Sequence, residues 1–243
     1  MTNEELSNQF QTLVSSYMRF KDYDDKEYLD SIEFDEYEKS LFLTKAQESL
    51  CLSLYTGRNS SGNSFDETEE LRRYLSPLIR EARIKPEEPQ DSAHMGISKT
   101  SKYFSLPADL WFITYEAVSV SDGPCGDEEF MDVQPVTQDE YHKIKRNPFR
   151  GANHRRALRL DLPEQTAEIV CKYNVTSYYI RYLKKLKPIV LVDLPPGVSI
   201  EGVGEETPSE IHEKLHQRML ELAVREALMT KGYNIDRQNQ ENK

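Results

Sequence analysis

His212-Glu213-Lys214-Leu215-His216 has the spacing by which two imidazoles, one helical turn apart, hold a zinc ion while the glutamate beside them takes a proton from zinc-bound water. Its surroundings argue for something plainer. Such helices line a buried cleft with uncharged residues, whereas Glu210 and Lys214 stand here, and the pattern falls in the first turns of its helix. Few residues follow that could supply a third ligand, and Glu241 lies in the polar C-terminal tail. A solvated helix face or a subunit contact uses the same residues without metal. The expectation is no metal, no cofactor and no catalytic residue, with a zinc-dependent hydrolase kept as an alternative.

A second constellation is basic. Lys143, Lys145, Arg146, Arg150, Arg155, Arg156 and Arg159 come without an acid until Asp161, and Lys172, Arg181, Lys184, Lys185 and Lys187 continue the excess. Lys and Arg neutralise phosphates without reading sequence, and Tyr141 and Phe149 add stacking surface, so a nucleic-acid-binding module built on residues 143–159 is another alternative. The same side chains also suit an acidic protein face. The whole 243-residue chain has a formal net charge of -11, which opposes general attraction to nucleic acid or anionic membrane. The stretch from Glu4 to Glu38 is strongly acidic, opposed only by Arg19, Lys21 and Lys26. Opposite charge in two parts of one chain lets copies attract head to tail, or turns the basic part toward a polyanion.

Other polar groups read as structure. Gly202-Val203-Gly204 and the loop Asp122-Gly123-Pro124-Cys125-Gly126-Asp127 lack the strand-to-helix context of a phosphate loop and are expected to be turns. Cys51, Cys125 and Cys171 are odd in number and far apart, which fits neither a disulfide framework nor a CxxC zinc site. A reducing cytoplasm suits them during assembly. Asp24, Asp25, Asp35 and Glu36 are expected on a solvated acidic face.

The elements that would position these residues follow from periodicity and caps. Leu6, Phe10, Leu13, Val14, Tyr17 and Met18 predict a helix from about Asn3 to Phe20. A second helix is expected from Asp30, with Glu33 reaching back, to Gly57. A third is expected from the Ser64 and Glu67 capping pair through Ile79, bent at Pro77. Residues 85–99 read as a linker or exposed loop. Seven short β-type segments follow: Tyr103–Leu106, Trp111–Val120, Phe130–Val136, Arg156–Leu162, Ala167–Tyr173, Ser177–Leu183 and Ile189–Val192. Thr137 and Glu140 cap a short helix that Asn147-Pro148 ends. Thr207, Pro208 and Glu210 predict the start of a long helix reaching Lys231, with apolar stripes on two sides. The fold class is α+β: an N-terminal helical region (1–84), a central β-rich sandwich or barrel-like domain (100–206), and a C-terminal helix (207–232) packing on that core and on a neighbouring subunit. A flexible tail (233–243) closes the chain. No segment approaches the roughly 20 apolar residues of a membrane span, and the N-terminus lacks the pattern of a signal peptide.

Several segments together resemble a known family. Val133-Gln134-Pro135-Val136-Thr137-Gln138-Asp139-Glu140-Tyr141, then Asn147-Pro148-Phe149-Arg150, Arg159-Leu160-Asp161, Glu168-Ile169-Val170, Tyr179 to Leu191, and the helix around His216 and Leu222-Ala223-Val224 are similar to virion structural proteins of the crAss-like tailed bacteriophages. The likeness spans roughly residues 100–228. It implies a ring in the neck or tail, a head-to-tail connector or tail ring protein, with twelve copies around the DNA channel. The implied partners are the portal protein and other ring proteins, with non-specific proximity to genomic DNA and no membrane. It implies assembly in the host cytoplasm, residence in the virion and no catalytic residues. Lys143, Arg146, Arg150, Arg155, Arg156, Arg159, Arg181 and Tyr182 are the expected interface residues.

Overall fold

In the computed structural model the described residues are 1–19, 32–58, 62, 64–65, 67–87, 101–122 and 129–233. They divide into two compact units, Met1–Leu78 with Leu186–Lys243, and Ile79–Lys185. The second helix of the first unit shows how local chemistry starts and stops an element. Asp35 accepts from the Glu38 amide at 2.7 Å while Glu38 Oε2 accepts from the Asp35 amide at 3.3 Å, a complete capping box. Helix α2 then runs over Glu36–Thr56 and ends on Gly57, whose φ of 77° only glycine adopts without strain. The expected start at Asp30 is five residues early: the box at Asp35 and Glu38 outcompetes it, and Asp30 itself lies outside the described residues.

Helix α1 covers Asn3–Arg19. It buries Leu6, Phe10 and Val14, and the rings of Phe10, Phe34 and Phe42 meet edge to face at centroid distances of 5.6 and 6.0 Å. Helix α3 is short, Glu69–Leu75, capped by Thr68 and followed by a 3₁₀ turn at Ser76–Leu78. The Ser64 and Glu67 pair does bond, Ser64 amide to Glu67 Oε2 at 2.6 Å, yet makes only a turn ahead of that cap.

The C-terminal helix, α5, spans His216–Thr230 and packs on α1 and α2. Its expected start at Thr207 is overridden by tertiary hydrogen bonds. Thr207 exchanges both backbone bonds with Val190 at 3.1 and 2.9 Å, Ser209 Oγ donates to Gln47 Oε1, and Glu210 accepts from the Lys187 amide. A 3₁₀ turn at Glu213–Leu215, capped by His212, leads into α5 instead.

The segment Ile189–Val192 is likewise not a strand beyond its single bridge at Val190. Its backbone is satisfied by a polar stripe on α2. Gln47 Nε2 donates to the Lys187 carbonyl at 3.1 Å, Thr44 Oγ1 accepts from the Ile189 amide at 3.0 Å, and Ser40 Oγ accepts from the Leu191 amide at 3.0 Å. Residues 40, 44 and 47 share a helix face while 187, 189 and 191 share the period of an extended chain, so each register meets the other.

The second unit is a curled, open, mixed sheet of seven strands among the described residues, in the order β1-β7-β3-β4-β5-β6-β2. The strands are β1 (Ile79–Ile84), β2 (Ser101–Ser105), β3 (Leu110–Val120), β4 (Glu129–Pro135), β5 (Arg156–Leu162), β6 (Thr166–Val170) and β7 (Val175–Lys184). Every pairing is antiparallel except β4 with β5. Strand β1 corrects the helical reading of Ile79. Pro77 ends the helical run, and Ala82 and Ile84 then join the sheet core while the backbone pairs with β7. Three bulges let β3 bend along β7. The parallel β4–β5 pair needs a crossover, supplied by α4 (Gln138–Ile144), which Thr137 caps through the Glu140 amide. Together these elements make the chain α+β, with N-terminal helices, a β-rich middle and a C-terminal helix, as the sequence reading held.

Candidate assembly surfaces

The crossover sets out the basic segment. Tyr141 and Ile144 of α4 pack with Leu158, Leu160 and Val170, and Ala152 joins the same cluster from the returning loop. Between these anchors, residues 145–155 form a loop built on Asn147. Its Oδ1 accepts from the amides of Phe149 at 2.9 Å and Arg150 at 3.3 Å, and its carbonyl accepts from the Gly151 amide at 2.8 Å. A Cβ on Gly151 would stand 2.8 Å from the Asn147 carbonyl oxygen and 3.0 Å from that of Ile144, so the loop closes only over glycine. Phe149 is thereby held 84% exposed; Lys143, Arg146, Arg150 and Arg155 of the same crossover are exposed too, and Arg156 is half-buried.

Arg159 parts from this group. Strand alternation puts it on the opposite face from Leu158 and Leu160, where it is 9% exposed. One guanidinium nitrogen donates to Glu116 Oε2 at 3.1 Å, Tyr178 Oη donates to the same carboxylate oxygen, and Nε stands 3.1 Å from Asp161 Oδ1 at ion-pair distance without the alignment of a hydrogen bond. Burial pushes the Glu116 carboxyl above its ordinary value, against the pull of Arg159 and the Tyr178 hydroxyl. Burial and then the Glu116 carboxylate raise the Tyr178 phenol. Beside Glu116, β3 and β4 diverge around a cleft of about 390 Å³ that also holds Asp132. Tyr182 too is turned inward, 5% exposed, with its hydroxyl donating to Asp109 at 3.0 Å. Arg181 is exposed and pairs with Glu81 at 3.0 Å.

The His-Glu-x-x-His pattern is pulled apart by its caps. His212 sits ahead of the helix, its Nδ1 accepting from the Lys214 amide at 3.3 Å and its ring 5.5 Å from that of Tyr74. His216 is 4% exposed, with Nδ1 at 3.2 Å from the Met1 amine and Nε2 buried without a hydrogen-bond partner. Burial, then the nearby amine, lowers the His216 pKa from its ordinary value. No cluster of three or more His, Cys, Asp or Glu side chains placed to hold a metal occurs among the described residues. Cys51 and Cys171 are buried free thiols, and burial pushes Cys51 up to about 12, far from a reactive thiolate. Cys125, Asp24 and Asp25 lie outside the described residues. Asp35 is exposed and spent on its cap, while Glu36 bonds Lys39 and Ser7.

A feature that residue types alone left as a turn is the hairpin-like excursion 190–207. Leu194 amide to Gly204 carbonyl at 2.8 Å and reciprocal Ile200–Val203 bonds at 2.9 Å hold it, and Glu201 and Gly202 turn it with φ of 50° and 85°. Asn3 Nδ2 ties its base to α1 through the Val190 carbonyl and Glu206. Residues 195–199 are all exposed. From Pro188 to Glu213 the chain has no Lys or Arg, a signal that was open to the sequence.

The basic loop 145–155 and the acidic hairpin 190–207 are thus two oppositely charged excursions from the two units. A family model described as phage tail ring protein 3/4 matches residues 1–239. The chain belongs to this family. It is 43% identical over 234 residues to Ring protein 3 of Bacteroides phage crAss001, covering 95% of this chain and 96% of the relative. It is also 26% identical over 235 residues to Ring protein 4/5 of the same phage, covering 92% and 91%. The crAss-like resemblance of the motifs from Val133 to Val224 therefore holds, and extends to the N-terminal helices, which the motifs left out. No helix of this ring protein, among the described residues, is long and apolar enough to cross a membrane.

Proposed function

We propose that this ring protein closes into a collar of twelve copies in the neck or tail of a crAss-like virion, joining portal to tail around the DNA channel. The match across residues 1–239 carries this reading, and 43% identity to Ring protein 3 against 26% to Ring protein 4/5 favours the place of the former in the stack. A closed ring repeats one heterologous contact, so each copy offers two different faces. Lys143, Arg146, Arg150, Arg155, Arg156 and Arg181 form part of one face, with Arg159 and Tyr182 stiffening the sheet behind them. The partners are the portal and neighbouring ring proteins. Genomic DNA is a non-specific neighbour, the protein's work is geometric, and it turns over no substrate.

Electron microscopy of the purified chain and of virions tests this. Twelvefold rings, and density for the chain in the neck or tail, are the expected result. A persistent monomer that is absent from purified particles ends the proposal.

A further inference from the structure

We propose that the basic loop 145–155 of one copy docks, through Phe149, on the acidic hairpin 190–207 of the next copy. This names the contact inside the ring reading above and rests on it.

Phe149 is the most exposed of the large apolar side chains among the described residues, yet its backbone is firmly mounted. The Asn147 turn, the glycine-only closure at Gly151 and the packing of Ala152 fix its backbone on both sides. A pre-ordered aromatic loses little freedom on binding, and aromatic and Arg side chains are the types that dominate interface energetics. Arg146 and Arg150 flank it, and neither has an ion-pair partner among the described residues.

The hairpin has the complementary character. Val192 is 46% and Val198 40% exposed, with Pro195, Pro196 and Gly197 between them also uncovered. Asp193, Glu205 and Glu206 have no described cation beside them, and Asp193 and Glu206 are fixed by hydrogen bonds to the Glu206 amide and Asn3. A hairpin that carries exposed apolar residues together with carboxylates suits a loop that carries an exposed aromatic together with guanidinium groups. The acids at the start of α2 are less suited, because Glu36 is engaged by Lys39 and Glu38 by Lys231. Loop and hairpin are different structures, so their pairing is heterologous and can propagate around a ring.

The test uses the full chain. Phe149→Ala and Val198→Asp should each weaken self-association about 30-fold or more with the thermal midpoint unchanged, read by mass photometry and microscopy. Mixing the two variants should give pairs and nothing larger, because the first keeps a working hairpin and the second a working loop. Arg150→Glu should weaken the ring, and adding Glu205→Arg should restore it. Rings that survive both single substitutions, or variants that fail to pair on mixing, overturn the docking and leave the ring reading standing. Intact rings that lose duplex DNA retention on Phe149→Ala place the loop on nucleic acid and also overturn it. A wild-type chain that forms no ring in solution or in particles overturns both.

Discussion

The two units of this ring protein solve the same problem, an extended chain with unsatisfied amides, by different means. In the sheet unit β7 is flanked by β1 and β3, and the backbone ladder supplies the partners. In the helical unit the extended run 187–191 has no ladder, and Gln47, Thr44 and Ser40 of α2 supply them side chain by side chain. The ladder is indifferent to most substitutions because every residue carries the same backbone groups. The stripe depends on three particular side chains. One architecture is therefore robust to sequence change and the other is not.

Substitutions in the two units put that contrast to the test. The largest effect belongs to the buried cluster inside the sheet: Arg159→Ala leaves Glu116 without its counter-ion and should cost about 3–5 kcal/mol in urea unfolding. A cost below ~1 kcal/mol would show that the pair is not held in the interior. Next, Thr44→Val strands the Ile189 amide and should cost about 1–3 kcal/mol, whereas Thr114→Val on the sheet, whose hydroxyl donates from the surface to the Arg181 carbonyl, should stay within ~0.5 kcal/mol. Equal costs at the two threonines would erase the distinction drawn between stripe and ladder. Asp35→Ala removes the α2 cap and should cost about 1 kcal/mol, detectable as a lower unfolding midpoint.

The smallest effect is one of pH. Burial and the Met1 amine lower the His216 pKa from 6.5, so between its folded value and 6.5 the unfolded chain binds more protons than the folded one. Its contribution is whole above 6.5 and is lost as pH falls through the folded value. Glu116 works in the other direction: its raised carboxyl favours the folded state below 4.5, and that contribution is lost as pH climbs through its folded value. From pH 7 to 5 the thermal midpoint of the wild type should drop relative to that of His216→Gln, which keeps the Glu116 contribution; parallel curves would remove His216 from the account.

Much of this was legible in the residues. The strands β2 to β7 sit on alternating or β-branched runs, the α4 cap on Thr137 and Glu140, and the α2 stop on Gly57. What stayed hidden shares one cause. Thr207-Pro208 with Glu210 is a good helix start in isolation, and Ile189–Val192 a good strand, but partners far along the chain claim both backbones. Arg159 counts as one more cation in a basic run until the alternation of β5 carries it into the sheet interior. The acidic hairpin lay open as a run without Lys or Arg, yet nothing local says that its two arms pair.

The order of amino acids was sufficient for α1, α2, α4 and the strands β2 to β7, for the caps of α4 and the stop of α2, for the charge contrast and for the crAss-like kinship, because each of these depends on neighbours within a few residues or on the residue string alone. Which charges face inward, and which extended segment gains a ladder and which a row of hydroxyls and amides, were settled only when distant segments met. Hydrogen bonds and burial across tens to hundreds of residues outweigh local preferences of about a kilocalorie per mole or less.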